Sequence, residues 1–276
     1  MIWLNGTVRE AEGAFSANDR GLLLGEAVFE TMSVDATGPQ FWAAHMARLE
    51  HACAAFGFAR RFDADALRAG LDALRAAQKS DAEPKRQILR VTVTSGDGGR
   101  GLVPQTPSPS NWLMQLSSAP AQADYIRLCD SADGVLAGSA SAAHKTTAYL
   151  DNILARRAAL KAGADEALLF NQYGRLAGAA AGNLFVQKGK QLITPPVSEG
   201  ALPGIIRHVL LSADLPDGLR AVEGLVGRDL LAKADALYLT NSVHMVVAAG
   251  YDADCDTAQK QQGRTLSAAL LKTSAF

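Results

Sequence analysis

Between residues 144 and 207 the chain runs HKTTAYLDN (144–152), GADEALL (163–169), GNLF (182–185), TPP (194–196) and LPGIIR (202–207). No other feature constrains the fold as tightly. A lysine precedes a helix, an apolar strand follows, a glycine opens another strand, and a proline-glycine pair opens a second helix. Strands and helices mixed over so short a span call for a sheet covered by helices. The lysine also matters chemically. An amine at the mouth of a helix can form a Schiff base with a carbonyl cofactor, which then carries the difficult chemistry.

The rest of the chain gives the same mixture. Trp3 and Leu4 precede Asn5-Gly6, a hairpin turn signal. Val28 to Val34 alternates as a strand, and Gly38 marks a second turn. Met46, Leu49, Cys53 and Phe56 recur at helical spacing, and Asp63 is placed to cap a second helix carrying Leu67, Leu71 and Leu74. Gln87 to Thr94 and Asn111 to Leu116 read as strands on either side of a loop rich in glycine and proline. The small, polar stretch 117–124 contains Pro120 and reads as a linker. It divides an N-terminal α/β domain (1–117) from a C-terminal α/β domain (124–276) that carries Lys145. Tyr149 to Lys161 is predicted helical, with Leu150, Ile153, Leu154 and Ala158 on one apolar face. Lys188-Gly189 turns a hairpin, Ala236 to Thr240 and Met245 to Ala248 are strands, and a last helix starts near Thr265.

Composition narrows the function. A chain of 276 residues, 48% hydrophobic, can bury a large core. A net charge of -1 gives no basic excess for nucleic acid. No run approaches the ~18 apolar residues of a membrane span, and MIWLNGTVRE lacks the basic-then-apolar pattern of a secretory signal. Cys53, Cys129 and Cys255 are far apart and odd in number, which points to reduced thiols and a cytoplasmic protein. The histidines show no H-E-x-x-H spacing, so no metal is expected.

These residues resemble the fold-type IV pyridoxal-phosphate enzymes, which include branched-chain and D-amino-acid aminotransferases and aminodeoxychorismate lyase. The resemblance covers nearly the whole chain. It rests on LNG (4–6), DRGLLLGEAVFET (19–31) and HMARL (45–49), and on the five segments above. GGRG (98–101) is similar to the lyase pattern in particular. The resemblance implies a two-domain α/β (α+β) fold with the cofactor, pyridoxal 5′-phosphate, in the cleft between the domains. It also implies a homodimer. Lys145 matches the Schiff-base lysine. Such a lysine must lose a proton to attack an aldehyde, so its pKa must be lowered.

Further matches follow residue by residue. Arg48 matches the phosphate-binding arginine, whose rigid fork of donors suits phosphate. Gly204, Ile205 and Ile206 match the turn whose N–H groups hold the same phosphate. Ser242 matches a hydroxyl that completes the phosphate cup. Tyr149 either lines the cofactor or packs at a helix start. Arg100, in its glycine loop, is a candidate for a substrate carboxylate. His45 and Glu30 are read as structural support.

One position departs from the pattern. In GRLAGAAAGNLF (174–185) the family usually has a glutamate where this chain has Gly178. That carboxylate bonds the pyridine nitrogen and tunes the cofactor as an electron sink. Three readings stay open: a reaction that needs less ring protonation, another group at the nitrogen, or a cofactor-binding protein with little turnover. The favoured function is the lyase reaction, an α,β-elimination releasing pyruvate and 4-aminobenzoate. The alternative is a branched-chain or D-amino-acid aminotransferase. The substrate is then a small amino acid or an amino-chorismate.

Overall fold

The computed structural model describes residues 1–59, 61–78, 86–99, 101–104, 109–132, 134–251 and 257–272. Contacts divide the chain into two units, Met1–Pro120 with Lys145–Ala148, and Ala121–His144 with Tyr149–Phe276. Arg100 and Cys255 lie outside the described residues.

The first unit contains β1 (Ile2–Leu4), β2 (Thr7–Arg9), α1 (Arg20–Leu24), β3 (Ala27–Asp35), β4 (Gly38–Pro39), α2 (Trp42–Ala55), α3 (Ala64–Ala77), β5 (Gln87–Thr94) and β6 (Asn111–Ser118). Its strands form one antiparallel sheet in the order β2-β1-β6-β5-β3-β4. The turn between β1 and β2 needs positive φ at both central residues, and Asn5 (52°) and Gly6 (101°) supply it. Asp63 caps α3, its carboxylate accepting from the Ala66 N–H at 2.8 Å. Met46, Leu49 and Cys53 of α2 and Leu67, Leu71 and Leu74 of α3 are buried against Val28, Met32, Leu89, Val91 and Met114 of the sheet. Each such side chain contributes roughly 1.5–3 kcal/mol by leaving water.

The second unit contains β7 (Tyr125–Asp130), α4 (Ala140–Ala143), α5 (Leu150–Lys161), β8 (Glu166–Phe170), β9 (Leu176–Ala179), β10 (Asn183–Lys188), β11 (Gln191–Thr194), α6 (Ile205–Ser212), β12 (Arg220–Glu223), α7 (Arg228–Ala232), β13 (Ala236–Asn241), β14 (Met245–Tyr251) and α8 (Thr257–Lys272). The sheet order is β12-β11-β10-β13-β14-β7-β8-β9. The β14–β7, β7–β8 and β11–β12 pairs are parallel and the others antiparallel. Its cores are built from Leu128, Leu168, Leu184, Val186 and Leu239, and from Ala155, Ala159, Ala167 and Leu169.

Two features differ from the sequence expectation. Lys145, expected in the C-terminal domain, belongs to the first unit by its contacts. The Phe29 N–H donates to its carbonyl at 2.8 Å, the Thr147 N–H donates to Ala27 O at 2.9 Å, and Thr146 bridges to Val28. The lysine is therefore clamped to the edge of β3. The predicted apolar face of α5 is also turned around. Leu150, Ile153 and Leu154 are exposed, while Ala155 and Ala159 are the side chains buried against β8. Small alanines let the helix approach the sheet closely, and the leucine stripe is left outside.

Candidate active site

The first cluster is built on β3. Val28, Met32 and Val34 face the core, and the period of two puts Glu30 on the same face, toward α2. A carboxylate in that position must be paired. His45 and Arg48, three residues apart on one face of α2, pair it. Arg48 Nε donates to Glu30 Oε1 at 2.7 Å and Arg48 Nη2 to Oε2 at 2.6 Å. His45 Nδ1 lies 2.7 Å from Oε2. Glu30 and His45 are fully buried, and 14% of the Arg48 side chain is exposed.

Charge follows from this packing. Burial, the largest influence, pushes the Glu30 carboxyl up, but the charge and hydrogen bonds of Arg48, with help from His45, hold it at about 2. Burial lowers the pKa of His45, opposed by Glu30 and reinforced by the charges of Arg48 and Lys145. A neutral imidazole donating Nδ1–H to Glu30 fits these contacts. Among the described residues its buried Nε2 meets no hydrogen-bond partner.

The alternate residue, Phe29, carries two cations. Arg90 Cζ of β5 lies 3.7 Å from the ring centroid and Lys145 Nζ lies 4.2 Å from it. Lys145 is half-buried, and its pKa is lowered to about 7, first by burial and then by the charge of Arg48. Glu30 opposes the shift and Arg90 adds to it. An amine with that pKa is substantially neutral near pH 7 and can attack a carbonyl.

The second cluster lies at one end of the larger sheet. Asn183 at the start of β10 pairs with Thr240 near the end of β13, so the turn before β10 and the hairpin after β13 are neighbours. The Asn241 carboxamide joins them, donating to Ala181 O at 3.1 Å and accepting from the N–H groups of Val243 and His244. Ser242 sits in this hairpin. The Asn183 carboxamide donates to Leu202 O at 2.9 Å, and a Cβ on Gly204 would lie 2.0 Å from its Oδ1. Glycine at 204 is thus required by close approach. Gly204 is the N-cap of α6, and no side chain caps the helix, so Ile205 and Ile206 open it with backbone N–H groups available to an anion. Tyr149 stands at the N-terminus of α5, whose Asn152 donates to Ala180 O at 2.9 Å. These contacts bring Gly204, at the start of α6, and the hairpin carrying Ser242 to the same end of the larger sheet, while Lys145 and Arg48 share one neighbourhood of the first unit.

Gly178 lies buried in β9 opposite Leu169, with ordinary backbone geometry. A Cβ there would meet only the Gly182 carbonyl oxygen, at 3.2 Å. No left-handed φ demands glycine at this position, and a side chain fits only if the Gly182 carbonyl, which accepts from the Ala179 N–H, yields by a few tenths of an ångström. The buried carboxylate of β8, Glu166, is engaged by the N–H of Ala167 at 3.0 Å and by those of Ala180 and Ala181.

Three contributors were not singled out by sequence. Phe29 and Arg90 lie in ordinary alternating strands, and only the register reveals that they meet. Arg20, in the DRG motif, is buried beside Glu26 and donates to the carbonyls of Gly99 (2.9 Å), Gly101 (2.6 Å) and Leu102 (3.1 Å). It fixes the backbone of the glycine loop on both sides of position 100.

The residues present fit a phosphorylated aldehyde. Lys145 has an amine of lowered pKa, and α6 opens with uncapped N–H groups. Among the described residues no group of three or more His, Cys, Asp or Glu could hold a metal, and no helix is long and apolar enough to cross a membrane.

Comparison with known proteins places the family and the fold. The family profile described as amino-transferase class IV matches residues 27–249. A putative branched-chain-amino-acid aminotransferase of Methanocaldococcus jannaschii is 30% identical over 254 residues, covering 89% of this chain and 85% of the relative. The aminodeoxychorismate lyase of Bacillus subtilis is 27% identical over 256 residues, covering 90% and 85%. Among solved structures, a putative 4-amino-4-deoxychorismate lyase from Legionella pneumophila superposes with a TM-score of 0.82 at 25% identity, covering 94% of this chain and 97% of that one.

Proposed function

This chain belongs to the class IV aminotransferase family, and on that premise we propose that it is a pyridoxal-phosphate lyase releasing pyruvate and 4-aminobenzoate from aminodeoxychorismate. The observation that carries the reading is the amine of Lys145, half-buried against Phe29 and held at a pKa of about 7. When bound, pyridoxal 5′-phosphate supplies an aldehyde for amines and an electron sink for charge left beside the substrate nitrogen. Lys145 anchors it and gives way to the substrate amine. The freed Lys145 amine then takes the proton from the carbon bearing that nitrogen. The neighbouring C–O bond breaks, the three-carbon group leaves as the enolate of pyruvate and takes the proton back from Lys145, and the Lys145 amine then displaces 4-aminobenzoate.

The remaining residues bind and orient. Arg48, the N–H groups of Ile205 and Ile206 after Gly204, and the Ser242 hydroxyl take the phosphate. Tyr149 lines the ring, and Gly178 leaves the ring nitrogen without a carboxylate from β9. Arg100 takes a substrate carboxylate, in a loop whose backbone Arg20 fixes on either side. The similarity of GGRG to the lyase pattern supports elimination. The second reading, an aminotransferase for branched-chain or D-amino acids, is supported by the 30% identical relative. The two are separated by incubating the loaded protein with aminodeoxychorismate and no keto acid. Pyruvate and 4-aminobenzoate support the lyase. Conversion only when an amino donor and 2-oxoglutarate are both present supports the aminotransferase.

The working form is a homodimer. Leu22, Leu23 and Leu24 of α1, Leu102 and Val103, and Leu150, Ile153 and Leu154 of α5 are exposed apolar side chains, and burying them against a second copy supports this reading. The free thiols of Cys53 and Cys129 support a cytoplasmic location.

A further inference from the structure

Three asparagine side chains meet at the turn between β9 and β10, and the proposed mechanism gives none of them a task. Asn152 of α5 donates to Ala180 O at 2.9 Å, and Asn241 at the end of β13 donates to Ala181 O at 3.1 Å. Asn183, which leads from the turn into β10, donates to Leu202 O at 2.9 Å. The β10–β13 ladder ends at the Asn183–Thr240 pair, so beyond it side chains make the connections. The Asn241 oxygen accepts from the N–H groups of Val243 and His244, at 3.0 and 2.8 Å, and so shapes the hairpin that carries Ser242. A Cβ at position 204 would lie 2.0 Å from Asn183 Oδ1, so the loop that opens α6 is seated directly against this side chain. The turn is itself closed, with the Ala179 N–H donating to Gly182 O at 2.9 Å and the Ala180 N–H to Ala167 O at 3.0 Å. One closed turn therefore stands between two asparagines, of which one reaches the Ser242 hairpin and the other the α6 loop.

We infer that Asn183 and Asn241 are positioning residues that act as one linkage, fixing the spacing between the Ser242 hairpin and the first turn of α6. The inference rests on the reading that Ser242 and the N–H groups of Ile205 and Ile206 bind phosphate. Donors that share one phosphate bind it better when their spacing is set beforehand, since ordering them on binding costs affinity. The path runs in series from the hairpin through Asn241, the turn and Asn183 to the α6 loop. Breaking either link releases the spacing, and breaking the second then adds little. Two asparagines with separate local duties would act independently, and their effects would multiply. A carboxamide suits the task, because it donates and accepts at once and brings no charge to compete with an anion.

The test uses two probes on the full chain freed of bound cofactor, pyridoxal 5′-phosphate and pyridoxal, which differ only in the phosphate. Each aldehyde condenses with Lys145 Nζ with loss of water. Hydride from borohydride then reduces the new C=N bond to a secondary amine, which mass spectrometry counts. The ratio of the concentrations needed for half capture reads phosphate recognition. Asn183→Ala and Asn241→Ser should each lower the advantage of the phosphorylated probe by about tenfold, the upper end for one lost hydrogen bond between neutral groups. Serine at 241 still offers an oxygen to the hairpin N–H groups but cannot reach Ala181, so a role confined to the hairpin would be rescued. Capture of pyridoxal should stay as in the wild type, because the Lys145 segment is bonded to β3. The double variant should lose about as much as either single variant.

Equal loss with both probes would reduce the asparagines to structural residues, and a double variant that loses the product of the two single losses would make them independent. Either result overturns the inference. Asn183 is buried, and if Asn183→Ala does not fold, Asn241→Ser decides alone. A lowered phosphate advantage with unchanged pyridoxal capture supports the linkage, and a wild-type ratio overturns it. Ile205→Pro and Ser242→Ala separate the inference from its premise. Proline is tolerated at the first position of a helix and removes an N–H there. If these two variants lose the advantage while the asparagine variants keep it, only the inference falls. If both keep it, the phosphate reading of α6 and Ser242 falls and takes the inference with it.

Discussion

Lys145 holds its amine 4.2 Å from the centroid of the Phe29 ring, on a segment whose backbone is bonded to the same strand. The ring favours a cation, and so does the carboxylate of Glu30. Burial and the charges of Arg48 and Arg90 oppose them and win, leaving the amine at about 7. The folded state thus prefers the neutral lysine, whereas the unfolded chain holds its proton up to about pH 10.4.

That difference has a sign. Above the unfolded pKa both states are neutral and Lys145 costs nothing. As pH falls from about 10.4 towards 7 the unfolded chain binds a proton that the folded one resists, and stability is lost. Below about 7 the penalty is constant. Lys145→Met should therefore stabilise the cofactor-free protein at pH 7, by no more than a few kcal/mol at ~1.4 kcal/mol per pKa unit, and so raise its Tm. The gain should vanish by about pH 10. The same variant should capture no pyridoxal 5′-phosphate under borohydride. Thermal melts across pH, with and without the probe, read both effects, and an unchanged melt at pH 7 would contradict the lowered pKa.

Glu30 and Arg48 give a second pH signature. With Arg48 in place, the Glu30 pKa of about 2 stabilises the fold above the unfolded value near 4.5, and this is lost as pH falls through about 2. Arg48→Ala leaves a buried carboxylate supported by His45 alone, at a cost of roughly 3–5 kcal/mol. Burial then raises Glu30 above its unfolded value. The sign reverses: the variant should be relatively more stable near pH 4 than at pH 7, because protonation relieves the buried charge. Urea melts at the two pH values decide this. A variant that weakens in acid as the wild type does would show that Arg48 is not what holds Glu30 ionised.

The α5 helix yields a prediction about surface and core. Ala155→Leu forces extra methylenes between α5 and β8, where Ala155 is fully buried, and should cost ~1–3 kcal/mol. Ile153→Glu touches an exposed position and should leave the fold intact while weakening self-association. Melting curves and sedimentation read the two outcomes. An Ile153→Glu protein that unfolds like the Ala155 variant would mean that the leucine stripe packs within its own chain.

This helix also shows where sequence stops being informative. Periodicity finds a stripe but cannot say which stripe meets the sheet when the competing face is alanine. On α3 the buried face was legible because Leu67, Leu71 and Leu74 recur there and the opposite face carries Asp65 and Asp72; on α2 the exposed face is largely alanine, and the larger Met46, Leu49 and Cys53 marked the buried one. Lys145, Arg48, Gly204, Ile205 and Ile206 are candidates that motif order alone proposes. Glu30 carries a signal of its own: a glutamate at a core-facing register of β3 requires a cation, and HMARL supplies one on the next helix. The meeting of Phe29, Arg90 and Lys145 had no local signal, since it depends on which strands pair.

Gly178 is the position where sequence and structure together press hardest on function. Its backbone is ordinary, and an added Cβ meets only the Gly182 carbonyl at 3.2 Å. A side chain can be accommodated if that carbonyl yields by a few tenths of an ångström. Gly178→Glu should fold, at a cost within the ~1–3 kcal/mol of overpacking. With cofactor loaded, it should speed deuterium exchange at the α-carbon of a bound amino acid, because an acid partner strengthens the electron sink. Wild type and variant are compared at full cofactor loading, so that occupancy does not enter. Exchange in the wild type as fast as in the variant would mean that another group serves the ring nitrogen. Exchange in neither, with cofactor bound in both, would favour a binding protein with little turnover over the lyase.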